Sequence, residues 1–416
     1  MMQETDTGTI DVSGQIAAFK RAMAPRKPVL DKAFAEVTDH VRREVDAIRA
    51  AGAAGRPVIP EIAYAQIHAG TVSQDAKDAV RRSGCAIVRG VFPREQASGW
   101  FDEVGEYLEA NRYEERWASR GHLDNYFAEV KKTGGKQQMF NVYWSKPQVM
   151  ARQDPKLAEA RTFLDTLWIN YDGVFDPKLQ LSYADRVRRR APGDTTLAIA
   201  PHMDAGTVER WIDPGYQRVY EHVFAGDWQG YDPFDARHRL ETREFPTPSV
   251  ASVFRTYQGW TALTRQGPSD GSLELVPIAR GVVYMLLRAL QDDVPETELC
   301  GAKVGRALAI TQEWHSILVA GKVAIPEVAP GDAVFWHSDI CHAVGAINAG
   351  PDYASVVYIG AVPDCTKNRA YIEKQKPYFL DGRSPPDYGA MDFETNFKDR
   401  ATLADLTALG RAQMGF

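Results

Sequence analysis

The sequence predicts an α+β fold in which helices come first and many short strands follow. Three observations predict it. Apolar residues recur at helical spacing through "IAAFKRAM" and "FAEVTDHVRREVDAIRA", between Ile16 and Ala51. After Asp176 the chain instead breaks into short runs such as "LQLSYADRVRRR", "TTLAIAPHMD", "SVFRTYQGWTALTR", "GSLELVPI" and "ASVVYIGAV", separated by Pro-Gly, Gly-Pro and Gly-Asp turns. One helical run, "ARGVVYMLLRALQ", interrupts these strands, and no internal repeat is visible. Helices first and strands later suit a sheet folded on itself, as a closed or sandwiched antiparallel barrel. Such a barrel has a mouth where side chains from several strands converge.

The elements follow in order. Residues 1–20 are polar and expected to fray. One or two amphipathic helices run to Ala51, and "GAAGRPVIPEI" then breaks the pattern with glycine and proline. "SQDAKDAVRRS" is a helix capped by Ser73 and stopped by Gly84. "CAIVRGVF" is a short strand, Pro93 opens the next helix, and residues 150–171 are helical again. The division expected is a helical extension over 1–80, a core over 81–400 with insertions at 211–245 and 279–300, and a C-terminal tail helix over 401–416.

A chain of 416 residues with a formal net charge of −6 gives no basic surface for nucleic acid. The one basic run, "RVRRR" at Arg186–Arg190, reads as a solvated strand edge rather than a phosphate track. The four cysteines form no CxxC pair, which fits a reducing cytoplasm better than a disulfide framework. The N-terminus lacks a charged-then-apolar signal pattern, and no apolar run approaches the length of a membrane span.

The chemistry concentrates in "IAPHMDAG". Side chains alternate along a strand, so His202 and Asp204 project to one side and Met203 to the other. That is either a structural hydrogen-bonded pair or two ligands awaiting a metal. A third ligand is available far downstream in "PGDAVFWHSDICHAVGAIN", where His342 is favoured over His337 because it begins the strand after the bend. Two histidines and one carboxylate on one face of a cation leave its opposite positions open, the arrangement of non-haem Fe(II) oxygenases. His40, His68 and His122 read as surface residues, and His222 and His238 as decoration of an insertion.

With these residues in hand the chain resembles the Fe(II)/2-oxoglutarate-dependent oxygenases, and among them the DUF1479 family. The resemblance rests on "GCAIVRGVFP", "APHMDAGTVERW", "FAGDWQGYDPFDARHR", "FRTYQGWTALT", "GSLELVPI", "PGDAVFWHSDICHAV" and "NRAYIEKQKPYFLDGRSPPDYG", which span roughly residues 84–390 in order. It implies a double-stranded β-helix (a jelly-roll of two antiparallel sheets) with Fe(II) at one open end, held by His202, Asp204 and His342. It also implies 2-oxoglutarate as co-substrate and dioxygen as oxidant. A C–H bond of a small polar molecule would be oxidised, with succinate and CO2 as co-products.

One departure stands out. Many relatives grip the far carboxylate of 2-oxoglutarate with a basic residue a short way after the distal histidine, and here that interval, "NAGPDYASVVYIG", has none. Arg255 is the expected substitute, read as part of a strand lining the barrel, with hydroxyl help from Ser355 and Tyr358. Arg186 and Arg288 are weaker candidates, and an edge-exposed salt bridge is the plain alternative for Arg255. The substrate wall is expected from Tyr143, Trp144, Arg210 and Trp211, aromatic and polar residues of "QMFNVYWSK" and of the insertion. A metal-dependent cupin-like enzyme that does not use a keto acid remains a second reading, supported by the missing arginine. A silent small-molecule binder is a third.

Overall fold

The computed structural model describes residues 11–120, 138–195, 199–247 and 250–416. The expectations placed on residues 1–10 and on His122 lie outside the described residues. The first helical region is two helices, Val12–Met23 and Lys27–Ala53, separated by a short 3-10 turn that contains Pro25. Proline lacks the N–H that would continue the ladder, so the chain re-starts there. The second helix buries Leu30, Ala33, Val37, Val41, Val45 and Ile48 at helical spacing and packs on the helix Gly281–Arg288. The Ser73 hydroxyl accepts the Ala76 N–H at 3.2 Å and opens Gln74–Ser83, which stops at Gly84 with φ of 73°. A Cβ at Gly84 would come within 2.5 Å of the Ile340 side chain. That glycine therefore also lets the connection before His342 approach closely.

Fourteen strands follow one another along the described residues: β1 (Glu61–Ala63), β2 (Cys85–Arg89), β3 (Met139–Phe140), β4 (Asp176–Ser182), β5 (Val187–Arg190), β6 (Ile199–Met203), β7 (Gln258–Ala262), β8 (Leu273–Leu275), β9 (Leu308–Ala309), β10 (Val323–Ala324), β11 (Ala333–Trp336), β12 (His342–Val344), β13 (Ala354–Tyr358) and β14 (Ala361–Asp364). A seven-stranded sheet has the order β1-β2-β11-β7-β13-β5-β3, and a five-stranded sheet has the order β10-β8-β12-β6-β9. Among the strand pairs of the described residues, only β1–β2 is parallel. From β5 to β8 successive strands alternate between the two sheets, and from β10 to β13 they do so again. Residues of both sheets line one cavity, including Trp260 and Val356 from the larger and Ile199 and Leu273 from the smaller. The cavity therefore lies between them.

Three sequence expectations need correction here. "LQLSYADRVRRR" is two strands, because β4 leaves the main sheet to pair with β14. Arg255 is not in a strand, since β7 begins only at Gln258. The basic run is not a solvated edge either. β5 lies inside the larger sheet between β13 and β3, with Arg188 and Arg190 buried. Arg190 meets that cost through backbone carbonyls, donating to Gly345 at 2.6 Å, Ala346 at 2.5 Å and Asp194 at 3.1 Å. Among the described residues no helix is long and apolar enough to cross a membrane. All four cysteines are free and buried.

Candidate metal centre

β6 and β12 pair antiparallel, and the register sets His342 directly against His202. Alternation then carries Asp204, just past the end of β6, to the same side as His202. The two imidazoles lie 4.1 Å apart between centroids. Nε2 of His202 is 3.4 Å from one oxygen of Asp204, and Nε2 of His342 is 3.2 Å from the other. One ligand atom from each residue falls within 4.8 Å of the others.

The backbone fixes which ring nitrogen faces the centre. Nδ1 of His202 lies 2.8 Å from the Ala200 carbonyl, and Nδ1 of His342 lies 3.0 Å from the Ile340 carbonyl. A carbonyl can only accept, so each Nδ1 carries the proton and each Nε2 presents a lone pair. Two imidazole lone pairs and a carboxylate thus converge in a buried space, which favours a cation between them. Burial and the neighbouring His202 ring lower His342, which keeps the imidazole in its neutral, ligating form. Gln258, at the start of β7, donates from Nε2 to Asp204 at 2.7 Å and orients the carboxylate.

The cavity around the triad includes Arg188, Arg255, Tyr183, Tyr358, Trp336 and Val356. Arg188 is buried and projects from β5 beside Val356, its cross-strand partner on β13. Its guanidinium donates to the Gly271 carbonyl at 3.0 Å, and no carboxylate among the described residues forms an ion pair with it. Burial lowers its pKa to about 10.

Several expected site residues lie elsewhere. Tyr358 lines the cavity, but Ser355 does not: three positions away on β13 it faces the opposite way, its hydroxyl on the Arg188 carbonyl at 3.1 Å. Tyr143 and Trp144 pack in a separate apolar cluster with Tyr388 and Phe379. Their backbone N–H groups bind Glu394, at 2.6 Å and 3.0 Å. The Trp144 indole donates to the Arg383 carbonyl at 2.8 Å. Arg210 is fully buried and donates to Asp339 at 2.7 Å, and the Trp211 indole donates to the Leu286 carbonyl at 3.1 Å. None of these four lines the cavity around the triad, and the Trp144 and Trp211 indoles and the Arg210 guanidinium make hydrogen bonds inside the protein. Arg288 pairs with Asp293 at 2.6 Å, and Arg186 stacks over Tyr388 at the cavity wall. His337 is fully buried, stacks on Trp168 with centroids 5.1 Å apart, and takes no part in the triad.

The sequence reading missed Arg188, Gln258 and Asp339. Asp339 gathers Arg210 at 2.7 Å, Arg239 at 3.2 Å, Tyr220 at 3.2 Å and Tyr231 at 3.3 Å, tying the insertion to the connection that delivers His342. Alternation along "RVRRR" puts Arg188 and Arg190 on one face. That was the available signal that one face of this run is special.

Two face-paired sheets thus enclose a buried His/Asp/His cluster whose ligand atoms lie close enough together to share one metal ion. The chain belongs to the Gig2-like family, whose profile matches residues 10–416. It is 40% identical to the YbiU protein of Escherichia coli (strain K12) over 416 residues, 99% of this chain and 98% of that one. It is also similar to the crystal structure of a candidate oxidoreductase from Salmonella typhimurium LT2, at 38% identity, TM-score 0.92 and 99% coverage of both chains. GIG2 (DUF1479) from Candida albicans shares the fold, at 24% identity and TM-score 0.80, over 96% of this chain and 88% of that one.

Proposed function

We propose that the protein is a non-haem Fe(II)/2-oxoglutarate-dependent oxygenase that hydroxylates a C–H bond of a small polar molecule, with succinate and CO2 as co-products. The observation that carries this reading is the triad: two Nε2 lone pairs and one carboxylate converge from β6 and β12, each imidazole locked by a backbone carbonyl. The alternation of strands between two sheets supports a double-stranded β-helix with this triad at its mouth. When bound, Fe(II) with 2-oxoglutarate and dioxygen supplies the oxidising power. The chain's own residues do the rest. His202, Asp204 and His342 hold the metal on one face, Gln258 fixes the carboxylate, and the apolar walls of the cavity exclude water. Free buried cysteines suit a reducing cytoplasm.

Arg188 replaces Arg255 as the residue assigned to the far carboxylate of 2-oxoglutarate. Its planar fork suits that group, and a buried guanidinium without an ion-pair partner calls for an anion. With a cation at hand in the inner cavity, the cupin-like reading loses its main support. Anaerobic titration of Fe(II) and 2-oxoglutarate tests the proposal: a visible charge-transfer band, followed by slow succinate release in air, is expected. Iron binding without any such band would defeat the co-substrate assignment.

A further inference from the structure

The co-substrate assignment leaves a second buried cation without a role. Arg255 is 9% exposed, and no carboxylate among the described residues forms an ion pair with it. Its Nε donates to the Tyr183 hydroxyl at 3.0 Å, one Nη donates to the Ala251 carbonyl at 2.8 Å, and the guanidinium lies 5.1 Å from the Tyr183 ring centroid. These hydrogen-bond partners are neutral, and the Asp185 carboxylate, whose field reaches the guanidinium, pairs with Arg186 rather than with it.

Its position is distinct from that of Arg188. On β7, Ala262 pairs with Val356, the cross-strand partner of Arg188, whereas Gln258 at the other end of the strand touches Asp204. Arg255 lies three residues before β7, outside the strand; it lines the cavity around the triad together with Arg188, and unlike Arg188 it also reaches a neighbouring one. Arg255 and Asp204 also line this second cavity, which extends to Phe245, Val253, Phe254, Glu244 and Lys367.

The other charges on this wall are engaged. Arg239 binds Asp339, Lys367 lies 3.3 Å from Glu244, and Glu244 also accepts from the Tyr216 hydroxyl at 2.7 Å. Glu209 accepts the N–H groups of Thr207 at 2.8 Å and Phe245 at 2.6 Å. We propose that this outer cavity takes a small organic acid, its carboxylate seated on Arg255 and its apolar body against Phe245, Val253 and Phe254. On the oxygenase reading, this acid is the molecule oxidised beside Asp204.

Calorimetric titration of the oxygen-free protein tests this, with Fe(II) alone and then with Fe(II) and 2-oxoglutarate. The probes are 3-phenylpropionate and its neutral amide. The acid is expected to bind at least about tenfold more tightly than the amide, and Arg255→Met to reduce it to the amide's level. The 2-oxoglutarate affinity of Arg255→Met is expected to stay within about twofold of the parent. Arg255→Lys, which keeps the charge but loses the fork, should fall between. Equal binding of acid and amide, or no binding of the acid up to about 10 mM, overturns the proposal. So does a loss of 2-oxoglutarate affinity in Arg255→Met, which would make Arg255 the co-substrate anchor. Inorganic phosphate that displaces the acid at equal concentration would assign the site to phosphate esters and overturn the carboxylate. Failure of the co-substrate reading shows separately, as absence of 2-oxoglutarate binding in the parent protein, and leaves the titration with Fe(II) alone to decide on the acid.

Discussion

Arg188 on β5 stands directly across from Val356 on β13. Val356 lies in the stretch after His342 where the proposed oxygenase reading expects a basic side chain, and that stretch has none. On that reading the neighbouring strand supplies the charge instead. Paired strands lie only about 4.8 Å apart, so an arginine can move one strand over and still reach the same space.

Replacing Arg188 therefore tests the co-substrate site. Arg188→Met is expected to weaken 2-oxoglutarate binding by about 2–5 kcal/mol, the range for removing one member of a buried charge pair. Fe(II) affinity should barely change. Titration of the charge-transfer band measures the first and a metal competition assay the second. A variant that binds 2-oxoglutarate normally would remove Arg188 from the site.

For the metal, His202→Ala, Asp204→Ala and His342→Ala are each expected to abolish stoichiometric Fe(II) binding, measured by elemental analysis after desalting. Circular dichroism should show the sheets retained. Undiminished iron in any of the three would break the triad assignment.

Gln258 acts through Asp204. Gln258→Leu should lower Fe(II) affinity by about 10–100-fold, the usual cost of losing a group that orients a ligand. Gln258→Glu brings a second carboxylate against Asp204 and should titrate differently with pH. Unchanged affinity in both variants would make the 2.7 Å contact incidental.

Asp339 should dominate the acid limb of stability. Burial would raise its carboxyl, but Arg210 and Arg239 hold it well below its usual value. A depressed carboxylate contributes fully above the unfolded pKa near 4, and that contribution drains away as pH falls through the folded value. Asp339→Asn is expected to cost about 3–5 kcal/mol at neutral pH by denaturant unfolding, because two buried guanidinium groups lose their anion. A cost below about 1 kcal/mol would mean that solvent already reaches the cluster.

Glu394 runs the other way. Burial lifts its carboxyl to about 7, despite the Tyr143, Tyr107 and Trp144 donors. The folded state then binds the proton more tightly than the unfolded chain, so the stabilisation is present below about pH 4.5 and is lost as pH rises through 7. Glu394→Gln should flatten the stability profile between those values, read as melting temperature against pH. A profile with the same slope in both proteins would place the titration elsewhere.

Much of this was legible before the structure. Helical periodicity, the Ser73 start and Gly84 stop, and the strand that His342 begins each follow from local rules, and the shared side of His202 and Asp204 follows from alternation alone. What could not be read was depth. "RVRRR" has the composition of a surface edge, and only the arrangement of β13, β5 and β3 shows it buried. Tyr143, Trp144, Arg210 and Trp211 carry side chains suited to ligand walls, but composition does not reveal that all four are buried away from the triad cavity. Whether an arginine faces a ligand or an internal partner is decided by residues far along the chain, as Asp339, 129 positions after Arg210, shows.

Asp339 sits two residues after His337 and three before His342, while its four partners all come from the segment that follows β6. His342 and the long excursion between β6 and β7 are thus fastened at one knot. If the proposed centre holds a metal, loosening that excursion would slacken the grip on it, and seating the ion would in turn tighten the excursion. Local melting of this region should therefore track metal occupancy, with amide exchange across Trp211–Arg239 slowing when the centre is filled.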